Sequence, residues 1–128
     1  MKTDIRDRFK VSLVRDGKLL AEAQFLRHKI FFGSNGKDKD KFDNCCIHLV
    51  VTDKNTRKAV GGYRLLLGSV AKKNLGFYSE GEFDLYNIKK NCKGEILEMG
   101  RACVDESYRR FRIINLMWKE IISFITKN

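Results

Sequence analysis

The sequence predicts a layered α/β fold in which a mixed sheet carries helices on both faces. Short segments of apolar–polar alternation, typical of strands, occur together with two longer segments of helical period. In chain order the predicted elements are a strand, a helix, three strands and a helix. With 128 residues, 43% of them hydrophobic, the chain can form one compact domain with its own core.

The first part of the chain predicts one strand and one long helix. Phe9–Val14 alternates as a strand and is followed by a turn at residues 15–17. Lys18–Phe32 then has a helical period. We expect the helix to end at the glycines of residues 33–36, and residues 37–44 to form a charged loop. The predicted buried side of the helix consists of Leu20, Ala23, Leu26, Ile30 and Phe31.

The middle of the chain predicts a hairpin followed by an irregular region. Residues 46–52 and 59–67 alternate as two strands around a polar turn, which is the pattern of a β-hairpin. Residues 68–94 lack a sustained period. Within them we expect a short strand near Phe83 and a helical turn near Ile88.

The last part of the chain predicts a strand and a helix, at residues 96–104 and 110–126. A strand and helix usually lead into a further strand that covers the open sheet edge, but the sequence stops here. We therefore expect a single domain, residues 1–128, that is either truncated at its C-terminal side or unusually minimal. The predicted buried side of the last helix consists of Ile114, Met117, Trp118, Ile121, Ile122 and Ile125.

Composition argues against several classes of protein. The sequence contains no run of about 18 apolar residues, the length that a transmembrane helix requires. The charged N-terminus lacks the apolar segment of a signal peptide. Cys45, Cys46, Cys92 and Cys103 form neither a Cys-x-x-Cys pair nor a Cys/His metal pattern. These features predict reduced thiols, no metal site and a cytoplasmic location.

The formal net charge of +10 does not indicate a nucleic-acid-binding protein. Lysines and arginines are spread along the chain, and no RNA- or DNA-binding motif is present. One interpretation is a compositional bias toward lysine and asparagine. The other is attraction to an acidic protein or to an anionic membrane surface, which would make the protein peripheral at the inner membrane.

Two ions of opposite sign, Glu98 and Arg101, lie in the last predicted strand, just before a polar turn and a helix. Free amides at a helix N-terminus bind phosphate, so this arrangement suits acyl transfer from a phosphopantetheine thioester to an amine. Glu98 is the candidate base, because burial would raise the pKa of its carboxyl group. The alternative is a structural ion pair between Glu98 and Arg101.

Five short blocks occur in one order along the chain, at residues 25–31, 42–51, 60–66, 76–85 and 96–104. With these blocks the chain resembles the GNAT acyltransferases, and most closely the L-ornithine Nα-acyltransferase family, also labelled hemolysin-like. Its most specific stretch is Phe-Tyr-Ser-Glu-Gly-Glu-Phe-Asp-Leu at 77–85. The resemblance implies a GNAT-like fold and transfer of a 3-hydroxyacyl group from acyl carrier protein to ornithine or a similar amino acid. That reaction is the first step of ornithine-lipid synthesis, and it needs no permanently bound cofactor.

The chain also resembles, in part, the acyl-homoserine-lactone synthases. A tryptophan of that family is missing here, where Gly33 and Ser34 stand instead. A synthase that uses S-adenosylmethionine is therefore the second interpretation. A third is a non-catalytic or inactive half-domain that binds an acyl carrier protein. The positions shared with the synthases are Arg27, Phe31, Asp40, Asp43, Arg64, Glu98 and Arg101.

The shared arginines and aspartates have two interpretations. Arg27, Arg64 and Arg101 suit the acceptor's carboxylate, because a guanidinium group is a two-pronged donor. They could instead lock the loop that carries Asp40 and Asp43. Asp43 could bind the acceptor's ammonium groups or cap this loop, and Asp40 lies in an alternating run typical of a solvated loop.

Three further arginines precede the last helix. The GNAT pattern has a glycine-containing loop that binds pyrophosphate, but residues 108–113 contain no glycine. The resemblance therefore favours a carrier-protein donor, with its single phosphodiester, over coenzyme A. Arg109, Arg110 and Arg112 would present a basic edge to that donor, and the alternative is an ordinary basic helix start.

Overall fold

The computed structural model describes residues 5–127. Four strands within this range form one sheet. Its strands are β1 (Phe9–Val14), β2 (Ile47–Asp53), β3 (Lys58–Leu67) and β4 (Leu97–Val104). Each strand lies beside the next one in the sequence, and all three pairings are antiparallel. In the described part of the chain, β1 and β4 are therefore the two edges of the sheet.

The predicted α/β layering and the predicted hairpin, formed by β2 and β3, are both confirmed. The strand directions differ from the predicted mixed sheet, and the β1–β2 connection gives the reason. A helix after β1 leads away from the end of that strand, and the loop at residues 33–46 returns to the same end. The register shows this return, because Val14 lies opposite His48 and Phe9 opposite Asp53.

Two long helices, α2 (Lys18–Phe32) and α5 (Ile113–Lys127), cover opposite faces of the sheet. The shorter α-helices are α1 (Ile5–Arg8), α3 (Gly68–Lys73) and α4 (Tyr86–Asn91). Single turns of 3-10 helix occur at Asp43–Cys45 and Tyr78–Gly81, and a longer one at Glu106–Phe111. Across residues 5–127, no helix combines the length and the hydropathy that a membrane crossing requires.

The region between β3 and β4 is helical where it is regular. The helical turn expected near Ile88 is confirmed as part of α4. The strand expected near Phe83 is wrong, because local hydrogen bonds turn the backbone there. The Phe83 amide donates to the Ser79 carbonyl at 2.8 Å, and the Asp84 carboxylate accepts the Tyr86 amide at 2.9 Å.

Helix α2 has its predicted bounds, and Gly33 ends it in the left-handed conformation with φ 69°. Its buried residues are Ala23, Gln24, Leu26 and Arg27, so two polar side chains belong to the buried side. The predicted burial of Phe31 is wrong, since this side chain is 47% exposed. The buried side of α2 differs from the predicted one because Gln24 and Arg27 point toward the buried Asp43 and not toward solvent.

Helix α5 begins three residues later than predicted. Arg112, in a left-handed conformation with φ 56°, separates it from the 3-10 helix at Glu106–Phe111. The helix packs chiefly across β1, β2 and β3, so the flank nearest β4 remains open. Met117 and Ile121 are buried as predicted. The predicted burial is wrong for the half-exposed Ile114, Ile122 and Ile125, and Trp118 is 38% exposed.

Candidate functional site

Three arginines from three different elements meet three aspartates from one loop. The arginines come from α2, β3 and β4, and the loop joins α2 to β2. Sequence reasoning had selected all of them except Asp38. We call this group the arginine–aspartate cluster, and its members are Arg27, Arg64, Arg101, Asp38, Asp40 and Asp43.

Asp43 is the most buried member of the cluster, with 1% exposure. Arg64 Nη1 donates to its Oδ1 at 2.8 Å, and Arg27 Nη2 and Gln24 Nε2 donate to Oδ2 at 3.1 and 2.7 Å. Burial alone would raise the pKa of Asp43. The hydrogen bonds from Arg64 and Gln24 and the charge of Arg27 outweigh burial, and its pKa lies below the ordinary value.

Asp38 and Asp40 complete the cluster. Asp38 Oδ2 accepts from Arg27 Nε at 3.0 Å and from Arg101 Nε at 3.1 Å. Asp40 accepts from Arg64 Nη1 at 2.7 Å and from Arg101 Nη2 at 3.3 Å. Each of the three aspartates is thus shared by two arginines, and the formal charges of the six side chains cancel.

The cluster has the geometry of the locking interpretation. Arg27 and Arg64 are 3% and 4% exposed, and both are occupied by aspartates. Aspartates hold Nε and Nη2 of Arg27 and Nη1 of Arg64, whereas Arg27 Nη1 is buried without a hydrogen-bond partner among residues 5–127. Loss of these aspartates would leave buried charges unpaired, which is strongly destabilising. Arg101 is different, because 24% of its side chain is exposed. Substrate contact stays a prediction for all three arginines and for Asp43.

Buried groups beside the cluster stay uncharged. His48 Nε2 lies 2.9 Å from the Asp43 carbonyl oxygen, and burial lowers the pKa of the imidazole despite this hydrogen bond. Burial raises the pKa of Cys46 to about 12 and that of Cys103 to about 11, so both are thiols at neutral pH. Within residues 5–127, no group of three or more His, Cys, Asp or Glu side chains could hold a metal ion.

Glu98 holds a loop. Its Oε1 accepts the Tyr78 amide at 2.8 Å, and its Oε2 accepts the Ser79 amide at 3.0 Å and a short hydrogen bond from Ser79 Oγ. Arg101 is instead occupied by Asp38 and Asp40. The alternative of an ion pair between Glu98 and Arg101 is therefore wrong, because each side chain has other partners.

A β-bulge places Glu98 and Arg101 on the same side of β4. In a regular strand, residues three apart point to opposite faces. Here Arg101 adopts a left-handed conformation with φ 51°, and Arg101 and Ala102 together lie opposite Tyr63. A bulge of this kind re-aims the side chains that follow it. Sequence spacing alone did not indicate this bulge.

Three adjoining cavities follow the exposed side of β4. The first, of about 270 Å³, is lined by Glu98, Tyr78 and Arg101. The second, of about 480 Å³, shares Tyr78 and Arg101 and extends to Ala102. The third, of about 590 Å³, shares Ala102 and reaches Arg112. We call the three together the β4 groove. Its largest aliphatic and phenylalanine lining residues are Ile30, Phe31, Phe32, Leu66, Met99, Ile113, Ile114 and Met117.

Tyr78 forms the wall between the first two cavities. Its ring lies against the guanidinium groups of Arg101 and Arg64, at 5.0 and 5.4 Å, and meets the Phe42 ring edge-on at 5.5 Å. Sequence reasoning gave Tyr78 no role, and it could assign no chemical step to Ser79. The signal was the 77–85 block, whose first turn carries both residues.

The three arginines before α5 are all exposed. Arg109 and Arg112 line its largest cavity. Arg110 lies over the Phe111 ring, 4.8 Å from its centroid. Arg109 and Arg110 belong to the last turn of the 3-10 helix, so the alternative of a basic start to α5 does not describe them. Cations are favourable at the end of a helix.

Comparisons with known proteins identify relatives of the chain. A family model described as an acetyltransferase (GNAT) domain matches residues 22–119. The chain is 35% identical to an L-ornithine N(alpha)-acyltransferase of Brucella abortus, over 86% of the chain and 45% of the relative. It is 32% identical to the proteins of that name from Agrobacterium fabrum and Rhizobium meliloti, over 91% and 84% of the chain.

The chain spans less than half the length of these curated relatives, namely 45% of the Agrobacterium fabrum protein and 42% of the Rhizobium meliloti protein. No solved structure gave a match to the chain.

Proposed function

The chain belongs to the GNAT acetyltransferase-domain family, and on that basis we propose that it transfers an acyl group to the α-amino group of an amino acid. The predicted resemblance to the L-ornithine Nα-acyltransferases is confirmed by three relatives of that name. Those names support L-ornithine as the acceptor. The proposed donor is an acyl carrier protein, and the product is the acylated amino acid from which an ornithine lipid is made.

The observation that carries this proposal is the position of Glu98 in the β4 groove. Its carboxylate lines the smallest cavity, and the arginines at residues 109 and 112 line the largest one. The six-residue step from Glu98 to Val104 spans about 20 Å of strand. An extended phosphopantetheine arm could lie along β4, with its phosphate at the arginines and its thioester beside Glu98.

Glu98 would remove the proton that prevents attack. An α-amino group has a reference pKa of about 8, so much of it is protonated at neutral pH. A carboxylate offers about four acceptor sites, and Glu98 uses three for Tyr78 and Ser79. The remaining site is available for the amine proton, directly or through a water molecule.

The acyl transfer then needs no covalent enzyme intermediate. The amine nitrogen bonds to the thioester carbonyl carbon, and the carbonyl oxygen becomes an oxyanion. Outward-facing amides at the bulge of β4 are the proposed donors to this oxyanion. The carbon–sulfur bond breaks as the oxyanion collapses, and the thiolate takes up the proton held by Glu98. The surplus proton of the attacking nitrogen is released to solvent, so that a neutral amide and a thiol are the products.

The acceptor would lie in the Glu98 cavity. Within this proposal Arg101 binds the acceptor's carboxylate, because it combines partial exposure with a position on the cavity wall. Arg64 also lines this cavity but is buried and paired with Asp40 and Asp43, and the buried Arg27 and Asp43 support the wall from behind. The sequence-based assignment of Arg27, Arg64 and Arg101 to the acceptor's carboxylate is thereby narrowed to Arg101.

Two features support a carrier-protein donor. Residues 108–113 contain no glycine that would bring backbone amides close to a pyrophosphate. The exposed Arg109, Arg110 and Arg112, in a chain of net charge +10, suit an acidic carrier. The same charge would favour contact between a cytoplasmic protein and an anionic bilayer, which would receive the amphiphilic product.

Mass spectrometry of the reaction products tests the proposed function. The chain is mixed with 3-hydroxyacyl carrier protein and a pool of ornithine, lysine, glycine, glutamine and S-adenosylmethionine. We expect one dominant N-acyl amino acid, from ornithine. Glu98→Gln should reduce the rate at least about a hundredfold, as expected for loss of a general base. Glu82→Gln, at an exposed position in the same region, is the matched control.

Each other outcome supports a different interpretation. Release of methylthioadenosine with an acylated lactone would indicate an acyl-homoserine-lactone synthase. Binding of the carrier without any product would indicate a non-catalytic module. Equal rates for Glu98→Gln and the wild type would remove Glu98 from the mechanism.

A further inference from the structure

Asp53, at the end of β2, is fully buried and accepts hydrogen bonds from three directions. Arg8 donates through Nε at 3.3 Å and through Nη2 at 3.0 Å. Tyr108 Oη donates at 2.6 Å and the Asn55 amide at 2.9 Å. The hydrogen bonds from Arg8 and Tyr108 lower the pKa of Asp53 to about 2, although burial acts in the opposite direction.

We call residues 106–112 the arginine turn. Arg8 also contacts the two aromatic rings of this turn. The Arg8 guanidinium lies 4.7 Å from the Phe111 ring centroid and 5.8 Å from that of Tyr108. Arg110 lies over the Phe111 ring as well, at 4.8 Å. Phe9 packs against both rings, with centroids 5.7 and 6.0 Å away. A continuous set of contacts therefore joins Asp53 to Arg110.

These contacts lie far from the proposed chemistry. In the sheet register, Asp53 is opposite Lys58 at one end of β3, and Glu98 is opposite Leu66 near the other end. Eight residues of strand separate these two ends, which is about 26 Å. A change at Asp53 can therefore affect acyl transfer only through the elements that it holds, and the arginine turn is the one that lines the β4 groove.

The arginine turn needs such support from outside itself. It is a 3-10 helix of six residues that ends at Arg112 in a left-handed conformation, and short 3-10 helices have little stability of their own. Three neighbouring arginines also repel one another. A turn held in one conformation loses less conformational freedom when it binds a partner than a mobile turn does.

We propose that Asp53 is a positioning residue for the donor: through Tyr108 and Arg8 it fixes the arginine turn in the conformation that binds the phosphopantetheine-bearing carrier protein. This inference rests on the proposed function for the identity of the donor. The N-terminal segment, through Arg8, and the end of β2, through Asp53, would thus affect donor binding although neither contacts the donor.

Tyr108→Phe is the sharpest test, because it removes the hydroxyl that donates to Asp53 and keeps the ring. Two quantities are measured: the Kd of phosphopantetheine-bearing carrier protein by fluorescence anisotropy, and kcat and KM for the carrier-linked donor. We expect Kd and KM to rise about five- to tenfold, in line with the loss of one strong hydrogen bond. We expect kcat to change less than about twofold.

A free acyl thioester without the carrier provides the discriminating comparison. Its KM should remain unchanged in Tyr108→Phe, because the carrier makes the additional contacts with the arginine turn. Tyr63→Phe is the matched control. Tyr63, on β3, packs against Trp118 of α5 and is not among the hydrogen-bond partners of Asp53. Asp53→Asn should behave like Tyr108→Phe with a larger rise in Kd, and Arg8→Lys should be intermediate because it keeps the charge but loses the two-pronged bond.

The outcomes separate this inference from the proposed function. A wild-type Kd for the carrier in folded Tyr108→Phe would overturn the positioning role, whatever Asp53→Asn does. Turnover with the free thioester but no carrier binding by the wild type would also overturn it, and would leave acyl transfer standing. Carrier binding that Tyr108→Phe weakens, without turnover by the wild type, would support the inference and contradict the proposed function.

Discussion

At the scale of single residues, Arg101 differs from the other two arginines of the cluster. It combines contact with two aspartates, partial exposure and a place on the wall of the Glu98 cavity. Arg101→Ala should therefore raise KM for the amino-acid acceptor about ten- to a hundredfold, with less effect on KM for the donor. Steady-state kinetics with each substrate varied in turn measure this difference.

Two comparisons make the Arg101 result specific. Arg101→Lys should restore little, because an ammonium group cannot donate in the two-pronged geometry of a guanidinium group. Arg15→Ala, in the exposed turn after β1, should leave both KM values unchanged. An unchanged acceptor KM in Arg101→Ala would show that the acceptor's carboxylate binds elsewhere.

Asp53 predicts a pH dependence of stability. Its pKa is about 2 in the folded chain and about 3.9 in an unfolded one, so the ionised carboxylate stabilises the fold. This stabilisation is fully present above about pH 5 and is lost as the pH falls through about 2. The difference in unfolding free energy between wild type and Asp53→Asn should thus be constant near neutral pH and shrink between about pH 4 and 2.

Urea unfolding at a series of pH values measures that difference. Asp16→Asn, in an exposed turn, is the control and should follow the wild type throughout. A difference at pH 2.5 as large as at pH 7 would show that the charge of Asp53 does not stabilise the fold.

At the scale of elements, α5 offers a matched pair of isoleucines. Ile121 is fully buried against the sheet, whereas its neighbour Ile122 is 56% exposed. Ile121→Ala should lower the unfolding free energy by about 2–5 kcal/mol through loss of buried contacts. Ile122→Ala should change it by less than about 1 kcal/mol. Thermal or urea unfolding distinguishes this orientation from the predicted one, in which both residues are buried.

Sequence periodicity predicted where the helices lie better than which sides they bury. Helix α2 has its predicted bounds because glycines stand at both ends, Gly17 with φ 91° and Gly33 with φ 69°. Its buried side was predicted from apolar residues alone, so the buried Gln24 and Arg27 were missed. The start of α5 was misplaced, because a left-handed arginine such as Arg112 has no local sequence signal.

The candidate site was predictable in its members and not in its contacts. The resemblance to the acyl-homoserine-lactone synthases indicated Arg27, Arg64 and Arg101, but their partners depend on a loop whose lysine–aspartate alternation suggested solvent exposure. Asp53 was missed for a different reason. Its partners Arg8 and Tyr108 are 45 and 55 residues away in the chain, and only the folded sheet brings them together.

At the scale of the whole molecule, Asp43 ties helix α2 to the sheet. It connects α2, through Arg27 and Gln24, with β3, through Arg64. Asp43→Ala should lower the unfolding free energy by about 3–5 kcal/mol, because it leaves two buried guanidinium groups without their shared partner. Asp16→Ala, in the exposed turn, should remain within about 0.5 kcal/mol of the wild type. A small effect of Asp43→Ala would mean that water or Asp40 replaces the lost carboxylate.

The arginine–aspartate cluster also bears on how the chain reaches its native state. Arg101 lies 63 residues after Asp38, so the six charges balance only once β4 has docked on β3. Before that step, two arginines face three aspartates in a partly dry interior, an arrangement that electrostatics penalise. Intermediates that contain only β1–β3 are therefore disfavoured, and the cluster couples docking of β4 to burial of α2.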